Sequence, residues 1–225
     1  MKKVVLLVVF VIATSVVGWA GACGPATLAF YTAPGFSCSI GTLTFSGFTY
    51  TNTNAPGVPP NGAQISVTPV INSSGTGFDF AGTFPNVFTA SAGVSDTYGL
   101  DFTVTAATGI NDALLQFDAA VNGAGSVASI QGTLPPASPL TVSTGGVSSD
   151  SETFAPLTTV NVSNSLTVIG GYASGSYANI DSFTQEFSPV SRVPEPSSLA
   201  LLGTALFGAG VLLRGRLGRR ANNES

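Results

Sequence analysis

The chain has 225 residues, enough for one domain of ordinary size with terminal segments, and only 8% of its residues are charged. All seven basic residues lie near the two ends, and there is no histidine, so the region between Lys3 and Arg192 carries carboxylates without a single cation. Such a region repels phosphate groups, which excludes nucleic acid and anionic lipid surfaces as its partners.

The N-terminus has the pattern of a secretory signal peptide. Lys2 and Lys3 are followed by an apolar run that extends to Val17, and Ala20 and Ala22 supply the small residues that a signal peptidase requires. The apolar run is too short to be a good membrane span. We therefore expect residues 1–22 to be removed by signal peptidase, with cleavage after Ala20 as the alternative.

The two cysteines of the chain are Cys23 and Cys38, and both follow the signal peptide. An even number of cysteines in an exported protein favours a disulfide, which at this loop length contributes about 3 kcal/mol on the chain-entropy model. Lipid attachment to Cys23 stays open as an alternative, although Ala20 stands where lipidation motifs usually have Leu. Two thiols without histidine cannot form a four-ligand zinc site, so we expect no metal.

Residues 23–190 are predicted to form one all-β domain. Apolar residues alternate with polar ones from Tyr98 to Val104, and the alternation that starts at Leu43 shifts phase at Gly47, which indicates a bulge. Turns rich in Gly, Pro, Asn and Ser separate about eight such segments, and no segment shows a helical period. The pattern predicts an antiparallel β-sandwich of jelly-roll or immunoglobulin-like type, while a barrel fits the same pattern.

The C-terminal sequence indicates a short sorting segment followed by a membrane-spanning segment. Residues 191–196 form a linker that contains Pro194, Glu195 and Pro196, and residues 197–213 form an uncharged, mostly apolar run just long enough to span a bilayer as a helix. Residues 214–225 form a basic tail. Its arginines should stay cytoplasmic and leave the β domain outside, and they are Arg214, Arg216, Arg219 and Arg220.

These C-terminal residues resemble the PEP-CTERM sorting domains. The Pro-Glu-Pro tripeptide, the short span and the Arg-rich end all occur here in the order that this family has. The resemblance implies that a membrane-embedded exosortase recognises the tripeptide, removes the tail and passes the protein to the cell surface. It also implies that the catalytic machinery belongs to the exosortase, for which this chain is a substrate.

The residue types of the domain exclude most catalytic mechanisms. Without His, Lys or Arg there is no Ser-His-Asp triad, no Ser-Lys dyad and no phosphate-binding loop lysine. Two carboxylates acting together, as in glycosidases, are the mechanism that remains. The candidate pairs are Asp96 with Asp101, Asp112 with Asp118, and Asp150 with Glu152.

Ligand-binding residues are few. Asp150 and Glu152 are the best candidates for calcium, although no Asp-rich calcium loop is present. Tyr172 and Tyr177 lie in a Gly-rich stretch and are the aromatic side chains most expected to be exposed for carbohydrate.

We interpret the chain as a non-enzymatic protein without cofactors, exported through an inner-membrane intermediate to the cell surface or the extracellular matrix, as in a biofilm. Its expected role is structural, adhesive or polysaccharide-associated, with self-association at sheet edges that lack charged residues. The alternative is a secreted carbohydrate-binding module or a two-carboxylate glycoside hydrolase.

Overall fold

The computed structural model describes residues 21–52, 61–83 and 87–190. The predicted sorting motif, the helix at 197–213 and the basic tail lie outside these residues, as does all of the predicted signal peptide before Gly21. Within the described ranges, no helix has both the length and the hydropathy needed to cross a bilayer.

The described chain is nearly all β, as predicted. Its helical elements are one turn of α-helix, α1 (Leu28–Tyr31), and one 3-10 turn at Gly62–Gln64. The strands are β1 (Gly21–Ala22), β2 (Ala26–Thr27), β3 (Ser37–Ile40), β4 (Leu43–Asn52), β5 (Ile65–Ile71), β6 (Thr76–Gly82), β7 (Phe88–Ser91), β8 (Ser95–Asn122), β9 (Ser126–Thr133), β10 (Leu140–Ser143), β11 (Ser149–Gly170) and β12 (Tyr177–Pro189).

All of these strands hydrogen-bond into one sheet, in which the long strand β8 is central. The first part of β8 pairs with β4 on one edge and β11 on the other, and its second part pairs with β12 and with the start of β11. The sheet continues from β11 through β9 to β10, from β4 through β3 to β1, and from β12 through β6 and β5 to β2. All pairings are antiparallel except that of β1 with β3.

The sheet curls because β8 changes the phase of its alternation at Gly109. Before this point the even-numbered side chains are buried, as predicted for Tyr98 to Val104, whereas after it the buried side chains are Ala113 and Leu115. Gly109 has a φ of 87°, a conformation that glycine adopts without strain. The register against β11 also shifts here, so one strand serves both halves of the sheet.

The two halves face each other across an aromatic core. Phe45 of β4 packs against Phe78 of β6 with ring centroids 4.7 Å apart, and Phe102 of β8 lies 6.2 Å from Phe80 of β6. Rings at such separations contribute beyond the area that they bury. Each strand therefore supplies one apolar face to a shared core, which is the physical reason for the period-two pattern in the sequence.

The sandwich of two separate sheets is not confirmed. The strands form one curled, open sheet, because β8 and β11 are long enough to belong to both halves. The sequence pattern predicted several short strands here. The bulge predicted at Gly47 is confirmed, since the register between β4 and β8 shifts between Ser46 and Thr49 and Gly47 has a φ of 65°.

Candidate functional site

The predicted disulfide joins Cys23 to Cys38, with an S–S distance of 2.11 Å. Cys38 lies in β3 with its side chain buried, and the Cys23 N–H donates to the carbonyl oxygen of Ser39 at 3.0 Å. The described residues contain no free cysteine. The bond therefore fastens the start of the domain to the sheet, and it engages the sulfur that lipid attachment would need.

The three predicted carboxylate pairs are arranged differently from one another. Asp96 and Asp101 differ in parity within the regular part of β8, so their side chains point to opposite faces. Asp112 and Asp118 share a face but are separated by about 20 Å of strand.

Asp150 and Glu152 lie on the same side of β11, about 7 Å apart along the strand. One oxygen of Asp150 already accepts a hydrogen bond from the backbone N–H of Thr141 at 2.7 Å. In the described part of the chain, no three His, Cys, Asp or Glu side chains group closely enough to hold a metal ion, so these two acids have no third protein carboxylate with them.

An open depression of about 320 Å³ lies where β11 begins beside β8 and β12. Its polar lining consists of Gln116, Asp118, Ser148, Ser149, Ser182 and Thr184, and Phe117 and Phe183 complete it. These side chains supply hydroxyl, amide and carboxylate groups and no cation. The depression can therefore accept or donate hydrogen bonds but has no group that would neutralise an anion.

Asp79 of β6 adjoins this depression. The Thr184 hydroxyl donates to Asp79 Oδ1 at 3.1 Å. Burial raises the pKa of Asp79, and the hydrogen bond from Thr184 opposes that shift. Burial likewise raises the pKa of Asp96 near the start of β8.

Sequence reasoning missed Glu186, which was not among the candidate acids. Glu186 is only 2% exposed, and Asn72 Nδ2 donates to its Oε1 at 2.6 Å. The amide oxygen of Asn72 in turn accepts from the backbone N–H groups of Ser74 and Gly75. The sequence shows Gln185, Glu186 and Phe187 in a row, and all three are buried, so no alternation pointed to this site.

The turn that carries Asn72 belongs to a region that we call the base: residues 72–75, Glu186, Ser188, Val190 and Gly109. The Ser188 hydroxyl donates to the carbonyl oxygen of Ser74 at 3.2 Å, and the Val190 N–H donates to the carbonyl oxygen of Gly109 at 2.9 Å. Val190 is the last described residue, so the chain leaves the domain toward its C-terminal tail at the base.

The opposite end of β12 forms a second region, which we call the tip: the loops at residues 92–94, 123–125 and 171–176. Backbone hydrogen bonds join the loops, from Gly93 N–H to the carbonyl oxygen of Gly171 at 2.7 Å and from Tyr172 N–H to that of Ala124 at 3.4 Å. Tyr172 is 89% exposed and Tyr177, the first residue of β12, is 43% exposed. The predicted exposure of both tyrosines is therefore confirmed.

The chain leaves the β domain at the base and continues toward the Pro-Glu-Pro tripeptide. The PEP-CTERM protein-sorting motif family matches residues 192–220, which include Pro194, Glu195, Pro196 and the four arginines of the basic tail. The chain carries this motif, and the motif implies exosortase-dependent export and sorting to the cell surface. The expected processing by an exosortase follows from it.

No curated protein matches the chain. Among solved structures, TmCBM61 in complex with β-1,4-galactotriose has a TM-score of 0.30 at 10% identity, covering 62% of this chain and 88% of its own. The Cry4Aa toxin from Bacillus thuringiensis has a TM-score of 0.29 at 11% identity, covering 67% of this chain and 30% of its own. The family two carbohydrate esterase from Cellvibrio japonicus has a TM-score of 0.19 at 12% identity, covering 66% of this chain and 37% of its own. TM-scores this low establish neither a shared fold nor a shared ligand.

Proposed function

We propose that this chain is a non-enzymatic protein of the cell surface or extracellular matrix, with a structural, adhesive or polysaccharide-associated role. The observation that carries the proposal is the sorting motif at residues 192–220, joined to a domain without a basic side chain between Lys3 and Arg192. The motif implies delivery to the cell surface. A domain without His, Lys or Arg has few side chains that can act as a general base or a general acid.

Processing at both ends is part of the proposal. Signal peptidase removes the N-terminus, the helix at 197–213 holds an inner-membrane intermediate, and the exosortase then removes the tail beyond Pro196. Gly21 and Ala22 form β1, which cleavage after Ala22 would remove and cleavage after Ala20 would retain. The intact mass of the exported protein from its native host distinguishes the two cleavage sites.

Replacing Pro194, Glu195 and Pro196 by Ala tests the sorting step. We expect the variant to stay in the membrane fraction with its Arg-rich tail, while the wild-type protein reaches the surface without it. The control is Glu224→Gln, which removes a carboxylate beyond the arginines and should be sorted normally. A variant that reaches the surface as the wild type does, or a wild-type surface form that keeps its tail, contradicts the proposal.

The alternative, a two-carboxylate hydrolase, is favoured by one observation, the spacing of Asp150 and Glu152. We expect the full chain to show no turnover on polysaccharides, esters or peptides. Turnover that disappears in Asp150→Asn or Glu152→Gln, with Asp112→Asn and Asp118→Asn as further variants, would replace the structural role with a catalytic one.

A further inference from the structure

The exposed apolar side chains of the domain concentrate at the tip. Tyr172 and Tyr177 lie there, and Val94, Val121 and Val127 flank the same loops, each with at least 36% of its surface exposed. They make up five of the eight large hydrophobic side chains that are exposed in residues 21–52, 61–83 and 87–190. Scattered exposed apolar residues need no explanation, but a grouping of this kind indicates a contact surface.

The Tyr172 ring lies against a glycine. It lies over Gly125, where an added Cβ would come within 2.8 Å of Tyr172 Cε2. Gly125 has a φ of 78° and Gly171 a φ of 62°, and a Cβ at Gly171 would meet the Ser126 hydroxyl at 2.6 Å. The loops therefore interlock through positions that only glycine fills without strain.

The polar groups around these rings are uncharged or anionic. Asn122 Nδ2 donates to the carbonyl oxygen of Gly175, and the Ser126 hydroxyl donates to that of Asn122. The nearest carboxylate along β12 is Asp181, which accepts from Asn179. Because the described domain has no cation, an anionic polymer would meet repulsion here, so the ligand chemistry is neutral.

The tip also lies at the far end of the domain from the tail. Strand β12 has 13 residues, from Tyr177 at the tip to Pro189 at the base, which spans about 40 Å in an extended strand. Whatever holds the C-terminal end of the domain at a surface therefore leaves the tip directed away from it.

From these observations we propose that the tip is a binding platform for a neutral polysaccharide, with the exposed face of Tyr172 stacking on the apolar face of a sugar ring. The proposal rests on the surface role proposed above. Two tyrosines, three valines and a rim of Ser, Asn and Gly make a narrow surface. A stable protein interface needs about 800 Å² from each partner, whereas a sugar ring offers one apolar face and a hydroxyl rim that match this chemistry.

The experiment is affinity electrophoresis of the full chain, purified in detergent, in gels that contain dextran, mannan or laminarin, with alginate as the anionic comparison. We expect retardation by at least one neutral polysaccharide and none by alginate. Tyr172→Ala should weaken that binding about tenfold, as loss of an aromatic contact does. Tyr172→Phe should keep it within about twofold, because the ring face persists. Ile71→Ala, which removes a 73% exposed side chain near the base, should leave binding unchanged.

Each other outcome overturns the platform. No retardation by any neutral polysaccharide, stronger retardation by alginate, or equal binding by Tyr172→Ala and the wild type would each do so. A dimer that Tyr172→Ala dissociates in light scattering would make a second copy the occupant instead. Cell fractionation of the native host distinguishes the two proposals, because a surface-located protein that binds no glycan removes the platform and leaves the surface role.

Discussion

The two ends of β12 differ in how far their side chains are exposed to solvent. At the tip, the strand begins with the exposed Tyr177, whereas at the base it buries Glu186 and Phe187 almost completely. The difference comes from the neighbours. The hairpin of β5 and β6 contributes to the base and supplies Asn72, while the loops that form the tip are rich in glycine and leave Tyr177 exposed. One strand therefore has a closed, hydrogen-bonded end and an open, aromatic end.

This contrast assigns the two ends different tasks. The base fixes the point at which the chain leaves toward the sorting motif, since Ser188 and Val190 are both hydrogen-bonded there. The tip presents side chains to solvent on a backbone that its interlocking loops hold in place. Buried contacts determine stability, so we expect substitutions at the base to change the free energy of unfolding and side-chain substitutions at the tip to leave it nearly unchanged.

The largest loss in the free energy of unfolding is expected where a glycine lies against another strand's backbone. The loss should be equal near the base and beside the tip. A Cβ on Gly77, near the base, would lie 1.9 Å from the carbonyl oxygen of Gln185, and one on Gly170, beside the tip, 2.0 Å from that of Ser91. Gly77→Ala and Gly170→Ala should each cost about 3 kcal/mol or more. Urea unfolding followed by far-UV circular dichroism measures this. Gly24→Ala, with nothing within 4 Å, is the control, and a loss at Gly170 alone would contradict the expected symmetry.

The next effect belongs to the base alone. Asn72→Ala removes the donor to Glu186 and should lower the free energy of unfolding by about 1–3 kcal/mol, because the buried carboxylate of Glu186 then lacks this partner. A double-mutant cycle with Glu186→Ala measures the coupling between the two side chains. If the two losses simply add, the 2.6 Å contact between them contributes nothing of its own.

A smaller effect concerns Asp79, which lies between the two ends. Burial raises its pKa above the ordinary 3.8, so the folded state favours the protonated carboxyl. Its contribution to stability is then fully present below the unfolded pKa and is lost as the pH rises through the folded pKa. Asp79→Asn should therefore be more stable than the wild type at pH 7, by about 0.5 kcal/mol or less for this partly buried group. The gain should fade as the pH falls toward 3.8, and a less stable variant at pH 7 would refute this reading.

The smallest effect is expected from Tyr172→Ala at the tip. With 89% of the side chain exposed, the substitution should change the free energy of unfolding by no more than about 0.5 kcal/mol. Tyr98→Ala, which removes a ring that is 2% exposed, should cost about 3–5 kcal/mol and serves as the comparison. Thermal and urea unfolding of both variants provides the measurement. A large loss at Tyr172 would mean that the tip is part of the core.

The sequence predicted the features that depend on local pattern. Alternation identified the buried face from Tyr98 to Val104, the phase slip identified the bulge at Gly47, and the count of cysteines in an exported chain identified the Cys23–Cys38 pair. The Pro-Glu-Pro tripeptide and its Arg-rich end identified the sorting motif. Each of these signals is carried by neighbouring residues or by composition, so no knowledge of distant contacts was needed.

Other features depend on residues far apart in the chain. No local signal shows that β8 runs unbroken from Ser95 to Asn122, because the phase change at Gly109 has the pattern of a strand end. Only the pairing of β11 and β12 with β8 on both sides of this point shows that the strand continues. Glu186 is buried, and its hydrogen-bond donor is Asn72, 114 residues earlier. Tyr172 is exposed over Gly125 because loops from three parts of the chain meet there. Periodicity assigns a side chain to a face of a strand, but burial depends on what the rest of the chain places against that face.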